Sequence, residues 1–166
     1  AFIAPHATAR FKAEAEANAV MAHVEGQTSA RVESITKRKR TVAPPVPINT
    51  TSLMAAASAE GLTPARTMRL AESLYMDGYI SYPRVDNTVY PSSLDLADTV
   101  KKIMGNPAYT PYCKQLLSGG PLRATRGKKE TTDHPPIYPT AMATPDNLPA
   151  AEYKLYNLIA LSLIHI

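Results

Sequence analysis

At 166 residues, 45% hydrophobic and 19% charged, the chain has the length for one or two small globular units and is too apolar for a wholly disordered tail. Basic residues outnumber acidic ones by 18 to 14 and are clustered, which makes a polyanion the expected partner. Cys113 is the only cysteine, excluding an internal disulfide and a zinc site built on paired cysteines, and the longest apolar runs (Leu53 to Ala59, Leu158 to Ile164) fall short of the roughly 20 residues that span a bilayer. A soluble chain from a reducing compartment is therefore expected.

The opening AFIAPHATARF has neither an initiator methionine nor a signal core and reads as a cut inside a longer polypeptide. From Lys12 to Val24 the text is rich in Ala and Glu, which predicts a helix stopping near Gly26. Thr28 to Val42 carries β-branched residues and ends in the basic run Lys37 to Arg40, which predicts a strand with a charged edge. That run is either a solvated edge, a localisation tag or a DNA contact. Pro44, Pro45 and Pro47 cannot share a helix or a central strand, so an extended connector and a new unit are expected there.

Thr51 or Ser52 is a candidate cap for a helix running to Gly61, and Thr63 with Pro64 opens a second whose Met68, Ala71, Leu74 and Tyr75 repeat at helical spacing until Gly78. Such a pair is either a helix-turn-helix or a plain helical hairpin in a core. The run YISYPRVDNTVYP follows, extended because Pro83 forbids a helical ladder across it. Pro91 and Ser92 should start a helix ending at Gly105, Thr110 and Pro111 a shorter one, and Pro149 a last one carrying Leu155, Leu158 and Ile159 inward. Between these, PLRATRGKKETTDHPPIYPT has no helical period and reads as a loop held by its prolines.

Chemistry concentrates around Tyr82. Pro83 pushes the preceding residue out of the α region, and in an extended run Tyr82, Arg84 and Asp86 project to one side. A phenol, a guanidinium and a carboxylate on one face can serve phosphoryl transfer: a hydroxyl to attack, a fork of donors for phosphate oxygens, an acid to orient the fork. The same stripe also describes an ordinary surface strand, and spacing alone leaves both readings open.

The run LYMDGYISYPRVDN resembles the active-site signature of type IA DNA topoisomerases. In that resemblance Tyr82 matches the nucleophile, Arg84 the arginine two residues on, and Asp86 the following acid; Val85 stands where the family usually has Thr, and Asn87 where it often has Ser. TTDHPPIYPT is similar to the family's later histidine motif, with His134 as a phosphate-contacting residue, and its His-Pro-Pro-Ile wording resembles the archaeal topoisomerase I and topoisomerase III branches. PPVPINTTSLMAAAS is similar to the passage opening the tyrosine-bearing domain.

The resemblance implies a mainly α fold with a few short strands, an α+β arrangement. A helical, CAP-like tyrosine domain at residues 44–140 would be flanked by parts of a β-rich gate domain at 1–43 and 141–166. It implies an ATP-independent enzyme that opens one strand of single-stranded or underwound DNA through a 5′-phosphotyrosyl link, passes a strand and reseals. Mg²⁺ would be bound by a Toprim domain of the same polypeptide. The acids here are scattered, Glu14 and Glu16 being the only pair one residue apart, so no metal site is assigned to this chain, and alone it should not cleave DNA. Arg123, Arg126, Lys128 and Lys129 are the candidates for gripping the backbone and Tyr79 for stacking on a base, with core packing as the alternative for the tyrosine. A cytoplasmic, nucleoid-associated location follows from the same resemblance. The closing ALSLIHI departs from the basic continuation expected of the family and reads as a truncation or a cloning scar. Two rivals remain: a helix-turn-helix module that binds DNA without chemistry, and another tyrosine-using enzyme such as a recombinase or relaxase.

Overall fold

Asn49 folds its side chain over the first turn of a helix and Thr63 does the same three residues before Arg66, and these caps fix where the central helices begin. A computed structural model describes Ile3 and residues 5–165, in which six helices occur: α1 (Glu14–Val24), α2 (Thr50–Ala59), α3 (Pro64–Met76), α4 (Leu96–Ile103), α5 (Thr110–Ser118) and α6 (Ala150–Ile164). The chain divides into two units, one ending at Thr41 and the other running from Val42.

In the first unit α1 buries none of its side chains, and Gly26 closes it at φ +79. The expected strand over Thr28 to Val42 is not formed: every residue there is exposed and makes no ladder. A β-branched pattern makes a segment fit a sheet but cannot supply the neighbouring strand that a ladder requires.

The second unit is built around α6. Leu155, Tyr156, Ile159, Ala160, Leu163 and Ile164 of α6 are buried, and α6 packs against α2, α3, α4 and α5. Leu53 and Ala57 of α2, Ala71 and Leu74 of α3, Val100 and Ile103 of α4 and Cys113 of α5 complete the core. Each fully buried Leu or Ile stabilises by about 1.5–3 kcal/mol, so the last helix is integral to this unit. Ala160, Leu163 and Ile164 of ALSLIHI form part of that core, whereas Ile166 falls outside the described residues. Buried polar groups are paired: Tyr109 donates to Asn157 Oδ1 at 2.8 Å and Tyr156 to the Ala141 carbonyl at 2.7 Å, and burial raises both phenols above their ordinary range.

Three expectations need correction. The fold is mainly helical, and among the described residues there is no strand and no sheet, so neither a few short strands nor β-rich gate pieces are present. Only an isolated antiparallel bridge, Ile80 with Pro139, joins the extended segments. The reason lies in their prolines: Pro83, Pro135, Pro136 and Pro139 have no N–H to give, and a ladder cannot propagate through them. The cap of α2 is Asn49 rather than Thr51 or Ser52; it accepts from the Ser52 N–H at 3.0 Å while Ser52 Oγ accepts from the Asn49 N–H at 2.9 Å, a reciprocal capping box. The fourth helix starts at Leu96, after the cap Asp95, and not at Pro91.

Asn49→Ala should lower stability by about 0.5–2 kcal/mol, read as a fall in the denaturation midpoint at unchanged m-value. Ile159→Ala, which opens a cavity where α6 meets the other helices, should cost about 2–5 kcal/mol in the same assay.

Candidate active site

Because prolines prevent a ladder, side chains from α2 and its cap hold the tyrosine segment between Pro83 and Asp86. Thr50, the first residue of α2, is the main clamp: its hydroxyl accepts from the Val85 N–H at 2.8 Å, its Oγ1 lies 2.7 Å from the Pro83 carbonyl, and its own N–H donates to the Val85 carbonyl at 3.0 Å. The loop after Pro136 lies alongside, with the Ser81 N–H on the Tyr138 carbonyl at 2.9 Å and the Tyr138 N–H on Ser81 Oγ at 3.0 Å. Ile137 donates in turn to the Ile48 carbonyl at 2.9 Å. Burial along the run alternates as an extended chain demands: Pro83, Val85 and Asn87 are buried, Arg84 and Asp86 exposed, and Tyr82 half-buried.

The half-buried Tyr82 ring meets two other rings. His134 has its ring centroid 4.5 Å away and tilted by 43°, and Tyr75 of α3 meets it edge-on at 5.4 Å. Arg84 is held by Glu72 of α3, with Nε donating to Oε1 at 2.8 Å and a second nitrogen on the same oxygen. Glu72 and Tyr75 are three residues apart and share a helix face, so α3 supports the phenol and the guanidinium side by side. The exposed Arg84–Glu72 pair adds little stability, and its effect is to aim the guanidinium.

Asp86 does not serve Arg84. Its carboxylate receives Lys129 Nζ at 2.8 Å on each oxygen and Asn49 Nδ2 at 3.2 Å, tying the cap of α2 to the basic loop. That loop is fastened to Thr88: the Thr88 N–H donates to the Lys129 carbonyl at 2.8 Å and the Gly127 N–H to the Thr88 carbonyl at 2.9 Å. A Cβ at Gly127 would stand 2.8 Å from that carbonyl, which explains a glycine among the cations. Arg126 pairs with Glu130, and Arg126, Lys128 and Lys129 line a groove with Thr51, Ser52 and Ala55 of α2. Arg123 is separate from them, lining a cavity with Leu96, Val100, Leu116 and Leu163. Tyr79 is half-buried and meets Tyr156 of the core edge-on, with centroids 6.3 Å apart.

The loop carrying His134 is ordered from within and from below. Asp133 accepts from the Thr131 hydroxyl and from the His134 N–H, and these bonds hold its carboxyl below the usual carboxylate range. Beneath the loop, buried Asn87 donates to the carbonyls of Thr131 and His134. Sequence reasoning missed Glu72, Thr50 and this role of Asn87. A signal existed for Glu72, which lies three residues before Tyr75 on a helix leading directly into the tyrosine segment. No local signal exists for Thr50 or Asn87, whose partners are 33 to 47 residues away. No helix of the described residues is long and apolar enough to cross a membrane.

A model of the DNA topoisomerase family matches residues 3–165. DNA topoisomerase 1 of Archaeoglobus fulgidus is 40% identical over 158 residues, which is 95% of this chain and 23% of that protein. DNA topoisomerase 1 of Thermoplasma acidophilum is 43% identical over 130 residues, 78% of this chain and 16% of that protein. DNA topoisomerase 3-beta of Arabidopsis thaliana is 38% identical over 137 residues, 82% of this chain and 16% of that protein. The chain thus spans less than a quarter of the length of these relatives. The family match from residue 3 to residue 165, together with the identity to archaeal topoisomerase 1 and plant topoisomerase 3-beta, makes this chain a member of the DNA topoisomerase family, in its type IA branch.

Proposed function

We propose that this chain carries the strand-cutting tyrosine of an ATP-independent type IA topoisomerase, and that Tyr82 is the nucleophile. The observation that carries the reading is the Tyr82 ring paired with the His134 ring at 4.5 Å between centroids, together with Arg84 held by Glu72 on the face of α3 that also bears Tyr75. In this reading the Tyr82 oxygen bonds to a backbone phosphorus of single-stranded or underwound DNA. The bond to the 3′-oxygen breaks, leaving a 5′-phosphotyrosine and a 3′-hydroxyl. The phenol loses a proton and the departing oxygen gains one. Another strand passes the break and the 3′-hydroxyl reverses the step, so one phosphoester replaces another and no ATP is consumed.

Arg84 offers its remaining donors to the phosphate oxygens as charge grows on them, and His134 adds a further donor. Asp86 acts through the basic loop: by holding Lys129 it sets the position of Arg126, Lys128 and Lys129 along the DNA backbone. Arg123 contacts the backbone elsewhere, and the outer edge of Tyr79 stacks on a base.

Among the described residues no three His, Cys, Asp or Glu side chains converge as a metal site. In this reading, as the family resemblance implies, Mg²⁺ is bound by an acidic Toprim domain of the same polypeptide, which would also complete the proton transfer. In this scheme the tyrosine-bearing stretch of residues 44–140 is seated on α6, and the setting is the nucleoid.

With single-stranded DNA and Mg²⁺, the Tyr82→Phe form of an enzyme completed by that acidic domain should yield no covalent protein–DNA adduct on a denaturing gel while retaining DNA binding; an adduct that persisted would remove Tyr82 from the role. The chain alone should yield none. Arg84→Ala should slow cleavage by about 100-fold or more, and Glu72→Gln by a smaller factor with Arg84 still present, both read from single-turnover adduct formation.

A further inference from the structure

We propose that Asn87 is the positioning residue that sets His134 against Tyr82, a role that rests on the tyrosine–histidine reading above. Asn87 is 4% exposed, and its amide is fully used. Nδ2 donates to the Thr131 carbonyl at 2.9 Å and to the His134 carbonyl at 3.1 Å, while Oδ1 accepts from the Val89 N–H at 2.9 Å. One planar group thus spans the tyrosine-bearing segment and the histidine loop.

The loop has little else to hold it. Thr131, Thr132, Asp133 and His134 are all exposed, and the next two residues are prolines without N–H groups. Among the described residues, no other hydrogen bond joins Thr131–His134 to the rest of the chain; the Thr131–Asp133 bond is internal to the loop. Asn87 also sits on the buried side of an extended run whose exposed side carries Arg84 and Asp86. The segment that presents the nucleophile therefore also locates its histidine neighbour, one face for each task.

A side chain that only filled space there would tolerate loss of its donors, whereas a positioning group would not. Asn87→Asp keeps shape and the acceptor for Val89, but turns a carboxylate oxygen towards two carbonyls. The prediction is read by NMR on the 166-residue chain, through the His134 ring protons, which the adjacent Tyr82 ring shifts; Tyr82→Leu gives the value without that ring. In Asn87→Asp the His134 signals should move most of the way to the Tyr82→Leu value, while signals of Leu155 and Ile159 in the core stay in place. In the completed enzyme the cleavage rate should fall about 100-fold with KM for single-stranded DNA within about threefold. If Asn87→Asp disturbs the core signals, Asn87→Ser, which retains one short donor, takes its place with a partial shift expected. His134 signals at the unsubstituted value in a folded Asn87 variant would overturn the proposal. So would a Tyr82→Leu variant that left them unmoved, since the rings would then not be paired. Persistence of the adduct in Tyr82→Phe would instead sink the nucleophile reading and leave the NMR result standing.

Discussion

The tyrosine segment has the shape of a strand without the hydrogen bonds of one, and the rest of the site depends on that condition. Prolines at 83, 135, 136 and 139 remove donors from both extended runs that lie together, so a single bridge is all the ladder they can form. Backbone groups cannot be left unpaired where they are buried. Side chains of Thr50, Ser81 and Asn87 take over, each reaching a carbonyl or N–H that a ladder would otherwise have served. The outcome is an extended backbone held at fixed points, with its exposed face free for chemistry.

The helices supply what such a segment cannot supply for itself. The first turn of α2 grips the backbone through Thr50 and reaches Asp86 through the cap residue Asn49. The C-terminal half of α3 presents Tyr75 to the phenol and Glu72 to the guanidinium. Both helices are seated on α6, whose buried side runs from Leu155 to Ile164. Packing of the last helix is thereby linked to the placement of residues some seventy positions earlier, a route from core to site that passes through rigid elements rather than flexible loops.

Electrostatics at the site are arranged as pairs of limited strength. Arg84 with Glu72, Asp86 with Lys129 and Arg126 with Glu130 are all substantially exposed, so solvent screens them and none stabilises the fold by much. Each pair nevertheless fixes a cation near the phenol or along the groove beside α2. An incoming anion can compete for such cations at modest cost, because exposed pairs are weak.

Local chemistry in the amino-acid text determined that these helices form and where most of them end, because periodicity and glycine stops act over a few residues: Thr63 and Pro64 open α3 as expected, and Gly26, Gly61 and Gly78 follow helices at positive φ, whereas the starts of α2 and α4 were displaced. It also determined that Tyr82 is extended and that Arg84 and Asp86 face outward, since the proline restriction and the period of two are local rules. Pairing was decided elsewhere. The run from Thr28 to Val42 has strand composition and no strand to join, and the carboxylate that meets Arg84 comes from α3 rather than from the adjacent Asp86. Thr50, Glu72 and Asn87 owe their roles to groups far away in the chain, and only folding around α6 brings those groups within hydrogen-bonding reach.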